Sequence, residues 1–190
     1  MDITKQTVDF IREHFANNSD GHDAEHSLRV YRNALAIASE EDCDKDVVAL
    51  AALLHDVDDK KLFETEANLN ARSFLSSLGV SEEKISRIVA VINCVSFSIN
   101  KDNVPATIEG KIVQDADRLD AIGAVGIART FMYGGSHGRS IEDTREHFED
   151  KLLLLKDKMN TDTAKKIAST RHDHMLSFLR ELDDELEQGG

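Results

Sequence analysis

Apolar residues recur at intervals of three and four through most of the chain, and alternating apolar and polar stretches are few, a pattern that predicts an all-α fold. The periodicity places helices over about residues 4–16, 23–40, 45–58, 64–79, 82–95, 107–132, 142–158 and 162–187. Several ends carry local signals. Ser81 followed by Glu82 and Glu83 is an N-cap with acids in the first turn, and Gly79 is placed to end the preceding helix. His22 and Asp23 are placed to cap and orient the second helix. Ser98 to Ala106 is a polar connection, and Gly134-Gly135-Ser136-His137-Gly138-Arg139 reads as a flexible, glycine-dense loop after a helix.

Two segments break the simple amphipathic rule. Val47, Val48, Leu50, Ala51, Leu53 and Leu54 wrap the third helix almost completely in apolar side chains, so it is expected to run through the core. It nevertheless ends in His55-Asp56, whose burial is costly unless the pair is matched by partners or a metal. In the same way, Asp115, Asp117 and Asp120 sit among Ile112, Val113, Leu119 and Ile122 on one helical stretch and need partners.

Composition narrows the function. The 190 residues suit one domain, taken as 1–190. With 23 Lys plus Arg against 36 Asp plus Glu, the formal charge is -13, which repels nucleic-acid polymers and anionic lipid surfaces. The longest apolar run, Val47 to Leu54, falls far short of the roughly 20 residues of a membrane span. No secretory signal pattern is visible at the N-terminus, so a cytoplasmic location is expected. Cys43 and Cys94 form no CxxC pair and read as reduced thiols.

The residues alone nominate His26 on the second helix, His55 and Asp56 at the end of the third, and one aspartate of the 115–120 cluster as ligands of a single ion. Adjacent side chains on a helix diverge by about 100°, but at its last turn both reach an ion just beyond the end. Two neutral imidazoles and two carboxylates balance a divalent charge. That donor set suits Mn²⁺, Mg²⁺, Fe²⁺, Co²⁺, Ni²⁺ or Zn²⁺.

Four segments carry a family likeness: Gly21-His22-Asp23-Ala24-Glu25-His26-Ser27-Leu28-Arg29-Val30, Leu53-Leu54-His55-Asp56-Val57-Asp58-Asp59-Lys60, Asp115-Ala116-Asp117-Arg118-Leu119-Asp120-Ala121-Ile122-Gly123, and the run to Arg139. In this order they resemble the HD-domain superfamily of metal-dependent phosphohydrolases, most of all its small single-domain bacterial members. The resemblance implies a compact helical bundle with a motif core over about 21–139, C-terminal helices over about 142–187 packed on it, and a metal site between helices. It implies His26, His55, Asp56 and Asp117 as metal ligands, the Ala-Asp-x-Leu pattern falling on Asp117 rather than Asp115 or Asp120. Superfamily members with two-metal centres recruit further histidines before the final aspartate, whereas Val57 to Ala116 contains none. One divalent ion, and phosphoester or phosphoanhydride hydrolysis, are therefore expected.

Asp59, three residues after Asp56, is the candidate for orienting or deprotonating the attacking water, with Asp58 as its competitor. Lys60 and Lys61, and His137 and Arg139 on the glycine-rich segment, are candidates for compensating phosphate charge, the glycines letting backbone amides approach. The expected substrate is a small phosphorylated molecule, a nucleotide by resemblance, losing either pyrophosphate or orthophosphate. The alternative is a non-catalytic nucleotide-sensing or interaction module that keeps the fold and metal site. The leucine-rich later helices suit a homodimer surface or internal packing. Arg118 is expected to pair with a neighbouring acid such as Asp115 or Asp120, and His14, His147, His172 and His174, outside the motifs, read as structural or exposed.

Overall fold

The computed structural model describes residues 2–16, 23–59, 63, 65–95 and 103–188. They are helical, with no strand among the described residues. The chain divides into two compact units, Met1–Asp117 and Arg118–Gly190. No helix among the described residues is long and apolar enough to cross a membrane.

The first unit is built around its most apolar helix. It contains α1 (Ile3–His14), α2 (Ala24–Ala38), α3 (Lys45–Leu54), α4 (Leu69–Ser77), α5 (Glu82–Ile92) and most of α6 (Ile108–Asp120). All eight residues from Val47 to Leu54 are buried, and α1, α2 and α5 pack on α3. A helix that is apolar all round finds a stable place only where neighbours cover every face, which makes α3 the axis of this core. Gln114, fully buried on α6, donates to the carbonyls of Cys94 (2.9 Å) and Asn103 (3.2 Å), while 98–102 of the expected polar connection lie outside the described residues.

Asp44 starts α3. Its carboxylate accepts from the Val47 N–H at 3.2 Å and pairs with Arg87 at 3.0 Å. Partial burial works to raise its pKa, but the Val47 N–H together with the cations Lys84 and Arg87 outweighs it, and the carboxyl lies below its ordinary value of 3.8. A lowered folded-state pKa contributes stability that is complete above the ordinary carboxylate range and is lost as the pH falls through the lower, folded value. Asp44→Ala is therefore expected to lower unfolding stability by about 1 kcal/mol at pH 7. Urea titrations at descending pH should show the gap to the parent protein closing below about pH 4.

The second unit contains α7 (Gly123–Ser136), α8 (Ile141–His147), a π-helical turn (Phe148–Leu152), a 3-10 segment (Leu153–Lys158) and α9 (Asp162–Gln188), with α9 packed against α7 and the 3-10 segment. Three expectations need correction here. The helix placed over 107–132 is two helices. The backbone breaks at Ala121-Ile122, and Gly123 adopts φ +77, which favours glycine, with the stem of Arg171 lying where a Cβ would be. The 142–158 stretch is one α-helical piece followed by π and 3-10 turns. Finally, Gly134 and Gly135 are helical rather than loop residues, because α7 runs on to Ser136 and Gly134 sits so close to Thr144 that a Cβ would collide with it.

Arg145 grips Asp183 through two hydrogen bonds (2.9 and 2.8 Å) and Glu149 through a third (2.7 Å). The bond from Arg145 holds the Asp183 carboxyl below its ordinary value. Arg118 donates to the Lys158 carbonyl, capping the 3-10 segment, while the buried Asp120 pairs with Arg129.

Candidate metal centre

Each predicted ligand comes from a helix or from the turn just beyond one. Asp23 caps α2, its Oδ1 accepting from the His26 N–H at 2.7 Å, so the cap fixes the first turn from which the His26 side chain projects. Helix α3 stops at Leu54, sooner than the periodicity predicts, because the chain tightens into bonds spanning three residues: Val57 N to Leu54 O at 3.3 Å and Asp59 N to Asp56 O at 3.0 Å. This turn places His55 and Asp56 just off the helix end. Asp117 comes from α6, and Asn33 on α2 donates to the adjacent Ala116 carbonyl at 3.2 Å, binding the helix of His26 to that of Asp117.

The four side chains converge. Donor atoms of His26, His55 and Asp117 all lie within 4.8 Å of one another. His26 Nε2 is 3.3 Å from His55 Nε2, 3.4 Å from Asp56 Oδ2 and 3.4 Å from Asp117 Oδ1. His55 Nε2 is 3.3 Å from Asp56 Oδ2 and 3.9 Å from Asp117 Oδ1. The imidazole side chains are 5% and 3% exposed and that of Asp56 12%, while Asp117 is the most open at 23%. Approach from solvent is therefore on the Asp117 side.

The orientation of one ring suits ligation. His55 Nδ1 lies 2.9 Å from the Ala52 carbonyl, which only accepts, so Nδ1 is the donor in this contact and Nε2 is the atom turned toward His26. The two Nε2 atoms stand 3.3 Å apart beside the two carboxylates, a donor set that would hold a divalent cation. Donors about 2.1 Å from a shared ion lie ~3.0 Å apart at right angles and ~3.4 Å apart at the tetrahedral angle. The observed separations of 3.3–3.9 Å fit such a group with little adjustment.

The competition between Asp58 and Asp59 has a structural answer for Asp58. Asn68 begins α4 in the left-handed conformation and makes no side-chain cap. Asp58 supplies that cap instead, Oδ1 accepting from Asn70 N (2.9 Å) and Oδ2 from Ala71 N (3.0 Å). Asp59 follows at the close of the turn, its carbonyl accepting from the Phe63 N–H at 2.9 Å. Lys60 and Lys61 lie outside the described residues, as does His22.

His137 and Arg139 belong to the second unit. Gly138, at φ +68, closes α7 with the Arg139 N–H bonded to the Gly134 carbonyl at 3.0 Å. The amides of His137, Gly138 and Arg139 are all spent in this cap, so the expected approach of glycine-loop amides to phosphate is not available there. Both side chains are exposed. The His137 ring stacks on Tyr133 at 4.0 Å, and the Arg139 guanidinium lies 5.8 Å from the Tyr133 ring centre. Burial raises the pKa of both Cys43 and Cys94 above the ordinary thiol value, which keeps them neutral rather than metal-binding thiolates.

His14 is a residue that motif reading passes over. It lies 43 positions from its partner, the Val57 carbonyl, which its Nε2 approaches to 3.0 Å, and no local pattern encodes that distance.

The helical fold and this cluster define a class that the comparisons make explicit: residues 23–122 match the model of the HD domain, and the chain belongs to that family. Members of the family bind divalent metals. Among relatives, YpgQ of Bacillus subtilis (strain 168) is 42% identical over 193 residues, covering 96% of this chain and 93% of that protein. A crystal structure of Bacillus subtilis YpgQ in complex with ADP superposes with a TM-score of 0.83 at 39% identity, over 96% of this chain and 97% of that one. An HD-superfamily hydrolase from Bacillus thuringiensis gives a TM-score of 0.81 at 38% identity, over 97% and 96% of the two chains. The hydrolase fold is thus shared with close structural relatives.

Proposed function

We propose that this protein is a metal-dependent phosphohydrolase acting on a nucleotide, with His26, His55, Asp56 and Asp117 holding one divalent ion. The observation that carries this reading is that two imidazole nitrogens stand 3.3 Å apart with an oxygen of Asp56 and one of Asp117 each 3.3–3.9 Å from both, and that His55 Nδ1 is held by the Ala52 carbonyl. The nucleotide is supported by the ADP complex of YpgQ, a protein alike over nearly its whole length.

When bound, the ion polarises the phosphoryl group and acidifies water. The chain's own residues do the rest. Asp56 and Asp117 neutralise the divalent charge, and the buried imidazoles keep the donor set rigid. Asp59 orients the attacking water and accepts its proton as the new P–O bond forms and the scissile P–O bond breaks. Lys60, Lys61, His137 and Arg139 offset phosphate charge that a chain of formal charge -13 would otherwise repel.

Purified protein stripped of metal, then supplied with Mn²⁺, Mg²⁺, Co²⁺ or Ni²⁺ and a nucleotide panel, tests the reading. Metal-dependent release of pyrophosphate or orthophosphate is the expected result, and the identity of the product decides which bond is cut. Nucleotide binding without turnover under every metal would instead mark a sensing module.

A further inference from the structure

His14 ends α1 and lies outside the 23–122 stretch that matches the HD domain. Its ring sits among three phenylalanines, 5.3 Å from Phe10, 5.3 Å from Phe15 edge-on, and 4.3 Å from Phe63. Aromatic packing alone would be met equally well by phenylalanine. What imidazole adds is a donor: Nε2 lies 3.0 Å from the Val57 carbonyl, and since a carbonyl only accepts, Nε2 carries the proton. The same carbonyl accepts from Asn70 Nδ2 at 2.8 Å, so both of its lone pairs are engaged, one from α1 and one from α4.

Val57 is the residue between Asp56 and Asp58, and it is fully buried. Fixing its carbonyl fixes the plane of the peptide joining Val57 to Asp58, since the peptide is rigid. That plane sets the step from Val57 to Asp58, the middle link of the turn between Asp56 and Asp59. Asp58, bonded to the start of α4, holds the next residue as well. Without the His14 bond, the Val57 carbonyl keeps a single anchor and the peptide gains freedom to tilt, which moves the Asp56 and Asp59 carboxylates relative to the two imidazoles.

We infer that His14 is a positioning residue for the metal-binding turn: its Nε2–H bond to the Val57 carbonyl sets the relative placement of Asp56 and Asp59. The inference rests on the metal-centre reading above. Groups bonded directly to metal ligands change metal affinity or activity by about 10–100-fold when removed, and His14 acts through the backbone of the residue next to Asp56.

The test compares His14→Phe, which keeps the aromatic packing and removes the donor, with His14→Gln, which restores an N–H of similar reach. Mn²⁺ affinity by calorimetry, kcat and KM for nucleotide hydrolysis, and the thermal midpoint are measured for the parent and both variants. The expected result is Mn²⁺ affinity or kcat about 10–100-fold lower in His14→Phe, with KM little changed and most of the loss recovered in His14→Gln. If the parent binds Mn²⁺ and His14→Phe matches it in both affinity and kcat, the positioning role is wrong while the metal centre stands. A loss that tracks a lowered midpoint and is not recovered in His14→Gln also overturns it, as a packing effect. A parent protein that binds no Mn²⁺ and turns over no nucleotide overturns the metal-centre reading itself, and this inference with it.

Discussion

Asp117→Ala is expected to abolish stoichiometric Mn²⁺ binding and to lower turnover by about 10³-fold or more, while the protein stays folded. Asp117 is the only one of the four proposed ligands that α6 contributes, and its Oδ1 stands 3.4 Å and 3.9 Å from the two imidazole nitrogens. Removing it takes away one of two compensating charges and opens the set on its most exposed side. An ion acting as Lewis acid is worth several kcal/mol in the transition state. At 1.36 kcal/mol per tenfold, a loss of about 4 kcal/mol is about a thousandfold. Stability gives an independent reading. With free Mn²⁺ at 100 times its Kd, the parent gains about 2.7 kcal/mol of unfolding free energy by mass action, and Asp117→Ala at the same concentration gains essentially none. Urea titrations with and without Mn²⁺ measure both numbers. Unchanged metal content and turnover in Asp117→Ala would remove this residue from the site.

The second large effect is expected at Asp59 and has the opposite signature. Asp59→Asn keeps the size of the side chain and removes its basicity, so turnover falls by about 10²–10⁴-fold while Mn²⁺ content is unchanged. The distinction from Asp58 is structural. Both Asp58 oxygens are committed to the amides of Asn70 and Ala71, so Asp58 holds α4 and the turn. Metal analysis beside steady-state kinetics on Asp59→Asn checks this. Full turnover in the metal-loaded variant would show that another group handles the water.

How much of this could be read in the sequence depends on the range of the interactions that decide each feature. The burial of α3 is written in its own eight apolar residues, and its conflict with His55-Asp56 already points to a site. The Asp23 and Ser81 caps and the Gly79 terminator are equally local, each decided within a few residues. By contrast, the break at Ala121-Ile122 interrupts a run whose periodicity continues unbroken, and Gly123 alone does not announce that the Arg171 stem will lie over it. Gly134 is similar: two adjacent glycines signal a loop until the helix is seen packed on Thr144. Arg118 carries the same lesson, because its donation to the Lys158 carbonyl spans 40 positions. At the site, the four converging side chains follow from motif order, whereas their support does not. Asp58 capping α4 and His14 holding the Val57 carbonyl are tertiary contacts that no spacing rule predicts.

The most direct test of the central claim is an anomalous-difference map from crystals of the active protein grown with Mn²⁺. One strong peak bonded to His26 Nε2, His55 Nε2 and the Asp56 and Asp117 carboxylates is the predicted result. A map with no peak among these four side chains, or with the ion held by other residues, would contradict it.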